Sequence, residues 1–215
     1  VYLYGGEPLL VGKEKISSIV DCFRQSVQEI LPIEIEFALQ TNGTLLDECW
    51  ISFLDGLGIS TGISVDHPAS SHELHRKHLD GRSSYSKVSA AANLLAESEA
   101  GKRIFRWVLS RIDINTNPLE AYQHFKSLSL NQCEFLFPIC DYTDKPPGKS
   151  DVEIPVYADW LIPIFDEWYH NDRERIYLQP FEAMIKALNG DGCFLDYIVS
   201  DMPIRGIFIQ TDGMY

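Results

Sequence analysis

Apolar and polar positions alternate along this chain with two periods in turn. Residues 1–4 form a short apolar run with strand character. Over 13–31, Ile16, Ile19, Val20, Phe23, Val27, Ile30 and Leu31 fall on one stripe of a helix, and Pro32 stops it. Ile33, Ile35, Phe37 and Leu39 then alternate with Glu34, Glu36, Ala38 and Gln40, which predicts a strand. The cycle repeats. A helix is expected over 45–57, with Gly56 and Gly58 at its end, and a strand over 59–65. A long polar loop follows at 67–83, then an Ala-rich helix at 85–96. A strand over 103–109, a helix over 118–128 and a strand over 133–137 complete the series.

Strands alternating with amphipathic helices predict a parallel sheet with right-handed crossovers. An open doubly wound sheet and a barrel-like arc both satisfy this order. In either, the strand ends share one rim, where ligand sites of α/β folds lie. Three unusual stretches fall just after strands: Gly5-Gly6-Glu7-Pro8, Gln40-Thr41-Asn42-Gly43 and Ser64-Val65-Asp66-His67-Pro68.

After Pro138 the texture changes. Residues 140–155 are rich in Pro, Asp and Lys and read as a long loop. In 156–169, Tyr157, Trp160, Leu161, Ile164, Phe165 and Trp168 recur at helical spacing, a stripe expected in the core. Pro163 should kink that helix or mark its early turns. A helix over 181–188 and a strand over 204–215 are expected to follow. These features divide the chain into a barrel-like part, 1–138, and a linker with a helical segment, 139–215.

Composition narrows the function classes. The 215 residues carry 31 acidic and 18 basic side chains, for a formal net charge of -13. Such a surface repels phosphate backbones, so nucleic acid is not an expected partner. The acidity serves solubility, or a cationic peptide partner. The five cysteines, Cys22, Cys49, Cys133, Cys140 and Cys193, contain no CxxC pair. Reduced cytoplasmic thiols fit them better than a disulfide framework. No apolar run is long enough to span a bilayer, so no membrane partner is expected.

Each motif has two readings. Gly5 and Gly6 permit close approach of a ligand, and Glu7 suits a ligand ammonium; the same stretch serves equally as a strand-to-helix turn with a solvated acid. Asn42 and Gln40 have hydrogen-bonding side chains for a sugar or base edge, in what is otherwise only a turn. His72, Glu73, His75 and His78 invite a metal reading, but HExxH is absent and a solvated polar segment accounts for them. Arg76 can clamp a carboxylate bidentately. Ser83-Ser84 are placed to cap the helix that starts at Tyr85. No Walker loop, GxGxxG or GxSxG is present.

Together, "YGGEPLL", "LQTNGTLL" and "GISVDHP…HELHR…GRSSYSKV" resemble the radical S-adenosylmethionine (SAM) enzymes. The similarity is greatest to the subgroup with a C-terminal SPASM extension, which includes anaerobic sulfatase-maturating enzymes and ribosomal-peptide maturases. "FLFPICDYTDKPPG" and "YADWLIPIFDEWY" resemble the peptide-maturase branch. The resemblance implies a partial (βα)6 TIM-like barrel of parallel strands, here without its first βα unit, leading into a helical C-terminal extension. It implies S-adenosylmethionine and a four-iron four-sulfur cluster as cofactors, a reductant for that cluster, and a precursor peptide or protein as substrate. Reductive cleavage of SAM to a 5′-deoxyadenosyl radical would then modify a side chain, with a cyclophane-type crosslink expected. Formylglycine generation in a sulfatase is the alternative, and a cluster-less peptide-binding module is the alternative of another class. Gly5, Gly6 and Glu7 match the motif that receives the SAM amino group. Ser64 and Arg76 match positions that hold its carboxylate, Gln40 and Asn42 lie near the adenosyl part, and Asp66 matches a Ser-x-Asp whose next residue is usually Gly, here His67. Asp141, after the fifth predicted strand, is the candidate for contact with substrate. The family's CxxxCxxC is absent, so no residue here is assigned to a metal. The chain reads as the middle of a longer coding sequence, inactive in SAM cleavage by itself.

Overall fold

The computed structural model describes residues 1–128, 130–138, 140, 143, 145–148, 155–191 and 209. The chain divides into two compact units, Val1–Tyr177 and Leu178–Tyr215. The sheet contains β1 (Tyr2–Leu3), β2 (Phe37–Thr41), β3 (Ile59–Ser64), β4 (Phe105–Arg111), β5 (Gln132–Leu136) and β6 (Tyr177–Leu178), ordered as they occur in the chain. β1 to β5 pair in parallel, and Tyr177 N donates to Asn131 O at 2.7 Å. The strand order decides between the two sequence-level architectures. A doubly wound sheet reverses direction once. Here every crossover steps the same way, so the right-handed rule puts the helices on one face and the sheet curls toward a barrel. The fold is a partial TIM-like barrel of α/β class.

The connecting helices are α1 (Lys13–Gln28), α2 (Glu48–Gly56), α3 (Ala69–His75), α4 (Tyr85–Glu97), α5 (Glu99–Ile104), α6 (Pro118–Ser127) and α7 (Val156–Glu167). The second unit carries α8 (Gln179–Leu188), with Pro180 in its first turn. Alternation separates the two faces of the sheet. Phe37, Leu39, Ile59, Ile63, Val108, Cys133 and Phe135 are buried, as are Ile16, Val20, Ile51, Leu54, Val88, Leu95 and Tyr122 from the helices. That is the core. The opposite face carries Gln40, Gly62, Ser64, Trp107, Arg111 and Glu134, a polar surface reaching the C-terminal rim.

Several expected boundaries move. Residues 33–36 belong to no strand, and β2 starts at Phe37. α2 starts at Glu48 because Asp47 caps it, accepting from Trp50 N at 2.7 Å. α6 starts where Asn117 caps and Pro118 takes the first turn. The polar loop expected at 67–83 contains α3, and the strand expected from 103 begins at Phe105 because Arg103 and Ile104 complete α5. Ser84 is the N-cap residue of α4, its carbonyl accepting from Val88 N at 3.0 Å, but the side-chain bond comes from Ser83, whose Oγ accepts from Tyr85 N at 3.2 Å. Pro163 sits inside α7 without ending it, and the helix runs on into one π turn, Trp168–Asp172. Its aromatic stripe is core: Trp160 and Trp168 are buried, and Trp160 meets Phe135 edge-on at 5.3 Å. Asp141, Cys193 and nearly all of 204–215 lie outside the described residues.

Candidate functional site

The rim begins at the end of β1. Gly5 has φ +152, and a Cβ on Gly5 or Gly6 would meet nothing within 4 Å. Space in front of this turn is open. Glu7 then ties the turn to the end of β2. Its Oε1 accepts from Leu9 N at 3.1 Å and Thr41 Oγ1 at 2.8 Å, and its Oε2 from Asn42 N at 2.7 Å. The Leu9 bond caps the 3-10 turn Pro8–Val11. Three of about four carboxylate lone-pair positions are used, all by neutral donors. Asn42 Oδ1 accepts from Thr44 N and Oγ1 at 2.9 and 2.7 Å, which leaves the Asn42 amide protons for other partners. Two residues back on the same face, Gln40 is bonded to Ser64 Oγ at 2.9 Å and to Trp107 Nε1 at 2.6 Å.

The end of β3 is built differently. Asp66 is fully buried. It accepts from Arg76 Nε at 2.7 Å, Arg76 Nη2 at 3.4 Å and Arg111 N at 2.7 Å, joining α3 to the end of β4. His72, buried inside α3, holds this arrangement. Ser84 Oγ spends its only proton on Arg76 O at 2.7 Å, so it accepts from His72 Nε2 at 2.9 Å. His72 Nδ1 is then the unprotonated nitrogen and accepts from Asp66 N at 3.3 Å. Burial holds the His72 pKa below its ordinary value, in keeping with a neutral ring. Both ring nitrogens are occupied, and among the described residues no group of His, Cys, Asp or Glu is placed to hold a metal ion. Beside this, His67 stacks on His124 of α6 at 4.1 Å. His124 Nε2 is buried without a partner among the described residues, and burial pushes its pKa down to about 4.

A groove of about 760 Å3 opens between the end of β2 and the start of α4. Glu7 and Asn42 line one side. His78, Arg82, Ser86 and Lys87 line the other. Arg82 is paired with Asp80 at 2.6 Å. Lys87 is exposed and makes no ion pair among the described residues. The two ends differ in sign. Glu7 presents a negative charge, while Ser86 and Lys87 stand in the first turn of α4, where unpaired backbone N–H groups and the helix dipole favour an anion. The groove therefore offers one wall that suits a cation and another that suits an anion. A smaller cavity, about 420 Å3, lies by Phe105, Arg106 and Asn131 near the beginnings of β4 and β5, the end of a parallel sheet that carries stability more than chemistry.

Of the sequence candidates, Gly5, Gly6, Glu7 and Asn42 gather at the open side of the rim, and Gln40 and Ser64 are joined behind them. Asp66 and Arg76 are bonded to each other. Asp141 lies outside the described residues. Lys87 and Trp107 were not singled out from the sequence, and His72 and Ser84 were, but as a candidate metal ligand and a helix cap rather than as the bonded pair behind Arg76. Lys87 carried one signal: a cation in the first turn of a helix opposes the dipole. Trp107 carried another, through Gly62, since a glycine inside a strand marks a close approach.

Comparison with known proteins fits this geometry. No family model matches the chain. It is 31% identical over 189 residues to a cysteine-type anaerobic sulfatase-maturating enzyme of Clostridium perfringens strain 13, covering 86% of this chain and 50% of that protein. It is 26% identical over 175 residues to a serine-type anaerobic sulfatase-maturating enzyme of Bacteroides thetaiotaomicron, covering 73% of this chain and 41% of the relative. Among solved structures, native anSMEcpe with bound AdoMet and Cp18Cys peptide is 29% identical with a TM-score of 0.72, over 87% of this chain and 52% of that one. The homologues of this chain thus include anaerobic sulfatase-maturating enzymes, and the chain spans about half the length of the curated relatives it matches.

Proposed function

We propose that the rim groove binds S-adenosylmethionine, and that the chain is the SAM-holding barrel of an enzyme that oxidises a Cys or Ser side chain of a polypeptide. The observation that carries this reading is the opposed charge of the groove. The last free position on the Glu7 carboxylate receives the ligand ammonium. Lys87 and the first turn of α4 receive its carboxylate. The open space before Gly5 and Gly6 admits the ligand without a side chain in its path. Asn42 keeps amide protons for a ligand oxygen. Arg76, with two nitrogens committed to Asp66, supports the site by fixing the end of β3 and adds positive charge at the rim.

S-adenosylmethionine bound beside a reduced cluster would supply the radical chemistry that takes a hydrogen atom from a side chain. The cysteines among the described residues do not fit such a cluster. Cys22 and Cys49 are exposed on α1 and α2, Cys140 is half-buried beyond β5, and Cys133 is buried in β5, its thiol pushed up by burial; no group of them is placed to hold a metal ion. The protein's own contribution is binding, orientation and exclusion of water.

The relatives favour side-chain oxidation over crosslinking: they are cysteine-type and serine-type sulfatase-maturating enzymes, and a solved neighbour holds a peptide. The test is an anaerobic incubation of the cluster-reconstituted protein that bears this chain with SAM, a reductant, and Cys- and Ser-bearing peptides. The expected products are 5′-deoxyadenosine and an aldehyde-bearing peptide. A side-chain crosslink would return the cyclophane reading, and no 5′-deoxyadenosine would contradict both.

A further inference from the structure

The cavity at the beginnings of β4 and β5 shares no residue with the rim groove. Its floor is apolar: Leu95 of α4, Phe105 of β4 and Leu128 after α6 are buried, and Ala96 and Leu130 complete the apolar lining. Its remaining lining residues, Lys102, Arg106 and Asn131, are exposed and polar. Gly101 sets the corner between α4 and α5. A Cβ there would overlap Leu95 O, so only glycine lets α5 turn this tightly over the end of α4. In a chain of net charge -13, three cations, Lys102, Arg103 and Arg106, gather at this corner. They are not equivalent. Arg103 is paired with Asp55 through two nitrogens, and Lys102 lies 3.2 Å from Glu99. Arg106 makes no ion pair among the described residues. It donates from Nη2 to Arg103 O at 2.5 Å and from Nη1 to Phe105 O at 3.2 Å. These bonds satisfy carbonyls at the end of α5 and fix the guanidinium. Both acceptors are neutral, so the charge stays uncancelled, and three of the five N–H groups remain.

We propose that this cavity binds an aliphatic monocarboxylate, its chain against Leu95, Phe105, Leu128 and Leu130 and its carboxylate on Arg106. The volume of about 420 Å3 lies in the range of small-molecule pockets. An aliphatic chain matches the lining, which apart from the three polar residues is wholly apolar. A carboxylate matches a guanidinium that is already oriented, so little side-chain freedom is lost on binding. One negative charge is favoured over two. A dianion such as a phosphate ester would draw on Lys102 as well, and Lys102 would have to leave Glu99, whose own charge repels the ligand. No carboxyl, thiol, hydroxyl or imidazole group lines the cavity, so it binds and does not react. A ligand held there binds only the folded chain and stabilises the corner of α4, α5 and β4. The site is independent of the reading of the rim groove.

Calorimetry with the chain and three probes, octanoate, octanol and octyl phosphate, tests the proposal. Octanoate should bind about tenfold more tightly than octanol, the size of one hydrogen bond to a charged group. Octyl phosphate should bind no more tightly than octanoate. Arg106→Met keeps the apolar stem and removes the charge. It should weaken octanoate about tenfold and leave octanol within about twofold of wild type. Arg106→Lys should recover part of the loss. Arg106 also serves the end of α5, so a second variant avoids it. Ala96→Phe, at a half-buried helix position, fills the cavity without touching a charge and should abolish binding of octanoate and octanol alike. If Arg106→Met does not fold, the preference for octanoate over octanol and its loss in Ala96→Phe decide the matter. The proposal is overturned if the wild-type chain fails to bind octanoate at millimolar concentration, or binds octanol equally well. Octanoate binding that survives Ala96→Phe, or tighter binding of octyl phosphate, also overturns it.

Discussion

Glu7 and Asp66 are both acids just past the end of a strand, on either side of β2. Both collect three hydrogen bonds. Asp66 is fully buried, and one donor is a guanidinium that cancels its charge. Glu7 is half-buried on the wall of an open groove, and its three donors are neutral. No cation among the described residues pairs with it. The difference separates two jobs that the sequence presents alike. Asp66 is a joint between β3, α3 and β4. Glu7 shapes a turn and still faces the groove with its charge intact.

The largest effect should follow from breaking the joint. Asp66→Ala leaves Arg76 facing a buried site without its partner and Arg111 N without an acceptor. We expect a loss of about 3 kcal/mol, measured as a lower urea midpoint. A loss under about 1 kcal/mol would mean that the pair is no more than a surface bridge.

Acid should attack the same region next. Burial lowers the pKa of His67, His72 and His124 below the ordinary 6.5, to about 4 for His124. Between the unfolded and folded values the unfolded chain binds more protons, so this stability is present above about 6.5 and is lost as pH falls toward about 4. Denaturant midpoints across that range should decline, and His124→Phe, which keeps a ring against His67, should flatten the decline. A flat profile would remove the histidines from the account. The groups they face are Tyr85 and Glu120 for His67, each other for the stacked pair, and Asp66, Arg76, Glu73 and Ser84 for His72.

Glu7→Gln should be milder for stability. The amide keeps one acceptor oxygen but turns an N–H toward former donors, costing about 1 kcal/mol. The smallest contrast lies within one dipeptide. Ser84→Ala breaks the chain from His72 to Arg76 and should cost about 1 kcal/mol. Ser83→Ala removes one exposed cap and should cost about half as much. Reversal of that order would contradict the role of the Ser84 hydroxyl between His72 and Arg76.

These particulars also explain what could be read from the chain alone. β3 and α6 were legible because their cues are local: alternation over 59–64, and Asn117-Pro118 at a helix start. α3 was not, because its buried anchor is His72, satisfied by hydrogen bonds, where a hydrophobic pattern expects an apolar residue. α5 was hidden because one residue, Ser98, separates it from α4, ending one helix and capping the next. At the rim, the glycines and Glu7 were legible as a motif. The link from Trp107 to Gln40 spans 67 residues of sequence and joins strands that are not neighbours. Only Gly62 marked it locally.

The most direct test of the central claim compares two ligands on one substitution. S-adenosylmethionine and 5′-methylthioadenosine share the adenosyl part, and only the first carries an ammonium for Glu7. In calorimetry with the chain, Glu7→Gln should weaken S-adenosylmethionine about tenfold and leave 5′-methylthioadenosine unchanged. Equal weakening of both, or a wild-type chain that binds S-adenosylmethionine no more tightly than 5′-methylthioadenosine, would contradict the account.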